Sequence, residues 1–429
     1  MPLDLQRISE SSTDMLLYHF SILLYSVAMR IATLWNPKAH TAVKGRKNLF
    51  EKLTAALTKA GNRKRIWMHC ASLGEFEQGR PVLESLRNQY PDSFILLTFF
   101  SPSGYEIRKN WPGADYVSYL PLDTPLNAGK FYQIVKPNLA IFVKYEYWLN
   151  LLRVMQENNV PVLMISAIFK PEYIFFQWYG WIWKKILTAF RHFFVQNEES
   201  AALLKSIGIQ QSSITGDTRF DRVINITQNF EAIPLVEQFC KREFVIVAGS
   251  TWPEDEEVLA HLAKTRQDTC FIIVPHELYE EHLNGIEKLF PDRLLYSQLK
   301  NGMEDIPSNI LVMDNIGMLS RLYHYGTICY IGGGFSNGIH NILEAAVHGK
   351  PLLFGPAFYK FQEAVDLLEL GGAETVESAI ELEKMVSQWL KNPIERQERG
   401  QVSEEYVFEK AGATAKILTY IQENRLLTS

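Results

Sequence analysis

Two series of short, continuous apolar runs, each run parted from the next by an amphipathic stretch, constrain this chain more than any other feature. Residues 65–71, 94–100, 116–120, 139–143, 160–167 and 192–196 form the first series; 244–249, 270–275, 309–313, 327–331 and 351–354 form the second. Helical patterns such as 78–88, 149–158, 254–264 and 278–289 lie between them. Strands apolar throughout are buried on both faces, and their alternation with helices predicts parallel sheets covered on each side. Two series predict an α/β chain of two doubly wound, Rossmann-like domains. Ligands of such sheets bind beyond the carboxyl ends of the strands, so a cleft between facing domains is the expected site. The polar stretch 222–235 marks the boundary, giving domains 38–225 and 226–429. The last helix is left free to pack back on the N-terminal domain.

Hydrophobic residues make up 47% of the 429, which excludes a disordered chain. A formal charge of −5 argues against broad nucleic-acid binding. Cys70, Cys240, Cys270 and Cys329 show no C-x-x-C spacing, so they read as free thiols rather than a disulfide framework or a zinc site. Residues 15–35 are apolar except for a few positions, chiefly His19 and Arg30. As a helix they measure about 30 Å, near the thickness of a bilayer core. The preceding segment is not basic and no small-x-small site follows, unlike a cleaved signal. Lys38, Lys44, Arg46, Lys47 and Lys52 follow, so the positive-inside rule puts the body of the protein in the cytoplasm. Residues 1–37 are therefore read as a membrane anchor that either spans the bilayer or lies in its interface.

The chemistry-bearing motifs fall where strands end. After 327–331 come Gly332, Gly333 and Gly334, then a polar turn and a predicted helix carrying Asn341 and Glu344 on one face. Glycines let backbone amides approach a phosphate, and the carboxamide and carboxylate suit sugar hydroxyls: a nucleotide-sugar cradle without a P-loop lysine. After 244–249 come Ser250 and Thr251, read as phosphate donors at a helix start or as a cap before Pro253. The acidic run 254–257 reads as a solvated first turn. Glu75 follows the first strand; as a general base or as an acid complementing a helix dipole, the two roles weigh evenly. Ser101, Ser103 and Glu146 follow the second and fourth strands, and His276 ends the second strand of the second series. No Asp-x-Asp pair calls for a metal, and no cofactor is expected.

Six elements in order resemble the 3-deoxy-D-manno-octulosonic acid (Kdo) transferases of lipopolysaccharide assembly. They are Ala71-Ser72-Leu73-Gly74-Glu75, Ser101-Pro102-Ser103-Gly104, Glu146 to Asn150, Ala248 to Thr251, Gly332-Gly333 with Gly338 to Glu344, and Pro351 to Pro356. The resemblance implies a GT-B glycosyltransferase at the cytoplasmic face of the inner membrane. Such an enzyme transfers Kdo from CMP-Kdo to a tetraacylated lipid A precursor, by inversion. It implies Glu75 as base and Ser250, Thr251, His276, Gly332, Gly333, Gly334, Asn341 and Glu344 as donor-binding. Ser72, Gly74, Ser101, Ser103 and Glu146 fall to the acceptor. Two positions depart from the family: Glu277 follows His276 where an Arg is usual beside the His, and Lys144 replaces an acidic residue two before Glu146. The alternatives are another membrane-associated GT-B enzyme using a different nucleotide sugar, and a non-catalytic nucleotide-sugar binder.

Overall fold

The computed structural model describes residues 12–300 and 308–427. The chain divides into two units, Met1–Arg222 with Gly412–Ser429 and Val223–Ala411. Residues 412–427, on the second-domain side of the sequence boundary, thus cluster with the first unit.

The first unit is built on a sheet of seven parallel strands: β1 (Arg65–Cys70), β2 (Phe94–Phe99), β3 (Tyr116–Tyr119), β4 (Leu139–Val143), β5 (Val162–Ala167), β6 (His192–Val195) and β7 (Ser212–Ile214). Their spatial order is β3-β2-β1-β4-β5-β6-β7. Successive side chains of a strand point to opposite faces, and the core divides accordingly. Trp67, Leu96 and Phe142 pack one face against Leu151 and Met155 of the helix Leu149–Glu157. Ile66, Met68, Leu97 and Ile141 pack the other against Phe76, Val82 and Leu83 of α3 (Leu73–Gln89). Ile417 and Ile421 of the helix Ala413–Glu423 complete that second layer.

Ahead of the sheet lie α1 (Ser12–Ala32) and α2 (Pro37–Gly45). The predicted apolar helix is present, but its polar side chains hold it to the first unit. Tyr18 Oη donates to Asp123 Oδ2 at 2.6 Å, and His19 Nε2 lies 2.9 Å from Asn150 Oδ1.

The second unit repeats the architecture with β8 (Phe244–Thr251), β9 (Thr269–Pro275), β10 (Leu294–Leu295), β11 (Ile310–Val312), β12 (Ile328–Ile331), β13 (Leu352–Phe354) and β14 (Ala373–Thr375). All are parallel, in the order β10-β11-β9-β8-β12-β13-β14. The helix Pro253–Thr265 covers one face through Leu259, Ala260, Leu262 and Ala263.

Candidate active site

In a doubly wound sheet the ligand crevice opens where the strand order reverses, beyond the carboxyl ends of the two strands at that point. In the first unit these are β1 and β4, hydrogen-bonded neighbours whose crossovers run in opposite directions. The chain leaves β1 through Ala71 and Ser72 into α3. Ser72 is the N-cap: its backbone N–H donates to Glu75 Oε2 at 3.0 Å, its hydroxyl donates to the same oxygen, and Gly74 N donates to Ser72 Oγ. This is a capping box, so Glu75 holds the helix-start position read from the sequence through one of its two oxygens. Both bonds go to Oε2, and Oε1 accepts none from any described residue. The carboxylate is therefore fixed by one oxygen and open at the other.

After β4, Glu146 Oε2 accepts from Trp148 Nε1 at 2.5 Å and lies 2.9 Å from Nε2 of His69, which is fully buried near the end of β1. His69 Nδ1 is anchored 3.1 Å from the Thr98 carbonyl oxygen on β2. Burial pushes the neighbouring Cys70 thiol well up, with the Glu75 and Glu146 carboxylates adding to the effect. The sequence reading missed His69, although it stands in the same strand-end motif. Ser101 caps the helix Pro102–Arg108, its Oγ accepting from Ser103 N at 3.3 Å and lying 3.1 Å from Ser103 Oγ.

In the second unit the reversal falls between β8 and β12. Here the structure corrects several expectations. The acidic run is solvated only at Glu254 and Glu257: Asp255 and Glu256 are each 1% exposed. Asp255 Oδ2 accepts from Trp252 N at 2.9 Å and from Gly333 N at 2.7 Å, and its Oδ1 accepts from Tyr330 Oη at 2.8 Å. Gly333 thus spends its amide inside the protein instead of offering it to a phosphate. Thr251 is fully buried and donates to Glu256 Oε1 at 2.7 Å, so its hydroxyl too is committed. Glu256 also pairs with buried His282, at 3.0 Å. Burial raises the pKa of both Asp255 and Glu256.

The three glycines answer to backbone crowding. A Cβ on Gly332 would stand 2.3 Å from Ser250 O, and one on Gly334 would stand 2.4 Å from Gly355 N. Gly333 has φ +93°, the left-handed region that glycine adopts without strain. The N–H groups of Gly334 and Phe335 bond to no described residue. Ser250, with φ +54° at a register shift in β8, lies beside them at the same strand ends.

Asn341 precedes the next helix, Leu343–Ala346, rather than sharing its face with Glu344. Its Nδ2 donates to Glu344 Oε1 at 3.0 Å, while its buried Oδ1 has no partner among the described residues. Beside the loop, Trp252 and His340 lie nearly parallel at 14°, joined by a 2.9 Å bond from Trp252 Nε1 to His340 Nε2. That bond makes Nε2 the acceptor and puts the neutral ring's proton on Nδ1. Burial, then His276, lowers the His340 pKa to about 4. His276 stacks on both rings, with centroids 4.0 Å from His340 and 5.0 Å from Trp252, and its own pKa is lowered by burial. Trp252 and His340 were not among the predicted site residues, yet with His276 stacked on them they form one aromatic cluster at the strand ends.

A family model described as 3-deoxy-D-manno-octulosonic-acid transferase (kdotransferase) matches residues 47–222. The chain is 30% identical over 315 residues to the 3-deoxy-D-manno-octulosonic acid transferase of Aquifex aeolicus, covering 72% of this chain and 80% of that protein. To the enzyme of the same name from Haemophilus influenzae it is 25% identical over 375 residues, covering 83% and 86% respectively. Among solved structures, the UDP-GlcNAc 2-epimerase of Neisseria meningitidis bound to UDP-GlcNAc is similar with TM-score 0.59 and 17% identity, over 84% of this chain and 100% of that one. That likeness is one of fold, the two-domain parallel-sheet architecture of GT-B proteins. The sequence relatives carry the assignment further: the chain belongs to the 3-deoxy-D-manno-octulosonic acid transferase family.

Proposed function

We propose that this Kdo glycosyltransferase of lipopolysaccharide synthesis takes its sugar from CMP-Kdo and delivers it, with inversion, to a hydroxyl of a tetraacylated lipid A precursor (lipid IVA). The reaction is placed at the cytoplasmic face of the inner membrane. The observation that carries the reading is the strand-end surface of the second unit. It combines a three-ring aromatic stack, two open amides and a carboxamide oxygen without a partner among the described residues, at the switch point. A nucleotide sugar offers a partner to each: a base to stack, a phosphate for the Gly334 and Phe335 amides with Ser250, and a hydroxyl for Asn341 Oδ1, held in place by Glu344. Gly332, Gly333 and Thr251 shape this surface from within, through backbone approach and the Asp255 and Glu256 bonds.

In the transfer, the bond from the ketosidic carbon to the CMP phosphate breaks, and CMP leaves with its electron pair. The acceptor oxygen bonds to that carbon, and the acceptor's proton passes to Glu75. Oε1 of Glu75 is the oxygen for that proton, since Oε2 is committed to Ser72. Amides aimed at the leaving phosphate stabilise the charge that develops there. Ser72, Gly74, Ser101, Ser103 and Glu146 stand at the carboxyl ends of β1, β2 and β4, and are assigned to the acceptor. An acylated acceptor explains the exposed apolar surface of α1, and the basic residues that follow it favour phosphorylated lipid.

The test is Kdo transfer by the purified full chain from CMP-Kdo to lipid IVA, with Glu75→Gln alongside and product mass recorded. Gln keeps a capping-box partner for Ser72, so the variant folds and removes only the base. Transfer is expected to fall by about 10²–10⁴-fold, with CMP binding retained. A folded, CMP-binding wild type that transfers nothing sinks the assigned reaction. Equal activity in the variant removes Glu75 as base, and competition by UDP but not CMP replaces the donor.

A further inference from the structure

The α1 helix carries two apolar faces that meet different surroundings. Tyr18, His19, Ile22 and Met29 recur at helical spacing and turn toward the first unit. Leu16, Leu17, Phe20, Leu23, Leu24, Val27 and Ile31 turn away, between 45% and 65% exposed. The outward face does not end with the helix. A short stretch running into the helix Trp181–Leu187 exposes Trp178 by 90%, Tyr179 by 54% and, at the helix's first residue, Trp181 by 47%. Tyr179 lines the same shallow groove as Leu17, and Trp183 meets Tyr18 edge to face with centroids 5.8 Å apart. Basic residues flank the surface on both sides. Lys184 and Lys185 follow the aromatic stretch. Arg30, Lys44 and Lys47 rim a groove of about 710 Å³ against α2, floored by Tyr25, Met29 and Leu122.

We propose that α1 lies in the plane of an anionic bilayer surface instead of crossing it, with Trp178, Tyr179 and Trp181 as a second lipid-inserting element on the same face. This rests on the membrane-surface reading above and makes its geometry specific. Crossing would pull α1 away from its partners. The fully buried Asp123 carboxylate, which also accepts from Asn150 N and Leu151 N, would lose Tyr18. His19 would enter hydrocarbon without Asn150. Lying flat keeps each of these bonds, buries the outward leucines, and sets Trp and Tyr side chains at the depth they favour. The flanking lysines and arginines then meet anionic headgroups.

The test uses the full chain on vesicles of phosphatidylethanolamine with phosphatidylglycerol, containing neither donor nor acceptor. A fluorophore on Leu17→Cys or Ile31→Cys is quenched with lipids brominated at graded depths. Labelling of the four native cysteines, three of them buried, is measured on unsubstituted protein. In-plane docking puts both positions at one depth; crossing separates them by about 21 Å, which overturns the proposal. In the second arm Trp178→Ala and Trp178→Glu, at a site too exposed to unsettle the core, are expected to weaken vesicle partitioning at least several-fold. Unchanged partitioning removes the aromatic element. Equal binding to purely zwitterionic phosphatidylcholine vesicles removes the anionic lipid. Docking as described without Kdo transfer overturns only the functional reading, and transfer by a chain whose α1 crosses the bilayer overturns only this one.

Discussion

Asp255 joins three segments of the second unit through one carboxylate, and its replacement by Ala or Asn separates two ways of holding the glycine loop. The side chain accepts from Trp252 N, Gly333 N and Tyr330 Oη at 2.9, 2.7 and 2.8 Å. Asp255→Ala strands two buried amides and a buried phenol. At about 1–3 kcal/mol per unsatisfied donor, with water entering the vacated space, the loss is about 3–5 kcal/mol. Asp255→Asn behaves differently. Its oxygen, placed where Oδ2 was, keeps both amides, and its NH2 donates to a Tyr330 hydroxyl that has turned to accept. Charge assistance is lost, but so is the cost of burying a charge, which raises the Asp255 pKa. A net change within about 1.5 kcal/mol is expected. The assay is amide hydrogen exchange at Gly333, with denaturant unfolding and CMP affinity alongside. In the Ala variant exchange should quicken by about 10²–10³-fold, and by no more than about tenfold in Asn. Equal exchange in the two variants would refute the reasoning, because the loop would then be held by glycine geometry alone.

Three further outcomes follow from the site. Ser72→Ala removes the cap of α3 and should cost about 1 kcal/mol in unfolding free energy, while lowering transfer further through a loosened Glu75; unchanged transfer would show that the capping box does not position the base. Gly332→Ala puts a methyl group 2.3 Å from Ser250 O, so the β8 and β12 strand ends must part, with a loss of about 1–3 kcal/mol and weaker CMP binding, read by calorimetry. Burial lowers His192, His340 and His348 from 6.5 to about 4, so they are neutral in the folded protein where the unfolded chain takes up protons. Their contribution is complete above pH 6.5 and disappears as pH falls to about 4. Raised Asp255 and Glu256 act in the opposite sense, since the folded state holds their protons more tightly. His348→Gln, which still donates to Ser320 O, should flatten the acid limb of the unfolding free energy; an unchanged limb would show that His348 does not contribute.

The inner strands of both sheets were legible because a parallel strand covered on both faces is apolar at every position. β7, β10 and β14 were not. They are edge strands of three, two and three residues, and the polar Ser212–Ile214 carries no such pattern. At the site, the positions of Glu75, Ser250, His276 and Asn341 at strand ends were readable, but their bonding was not. The acidic run shows why. Asp255 and Glu256 looked like a solvated first turn, yet they precede Leu259, Ala260, Leu262 and Ala263 at spacings of three to four and seven. That places both carboxylates on the buried face, where Tyr330 and His282 meet them from afar in sequence and Thr251 from the end of the preceding strand. The Trp252 and His340 bond, spanning 88 positions, is invisible to any local pattern.

The return of the C-terminal helix orders events during synthesis. Asp221 receives Gly412 N and Thr414 N at 2.6 Å each, so the helix is clasped by the residue just before the chain leaves for the second unit. Ile417 and Ile421 are fully buried in a core that includes Ile66 of β1. On the ribosome, the layer laid down by the earliest strand stays open to water until the helix Ala413–Glu423 emerges. The whole second unit, an insert between residues 222 and 412, has been made by then. The unit translated first closes only after the second has been made.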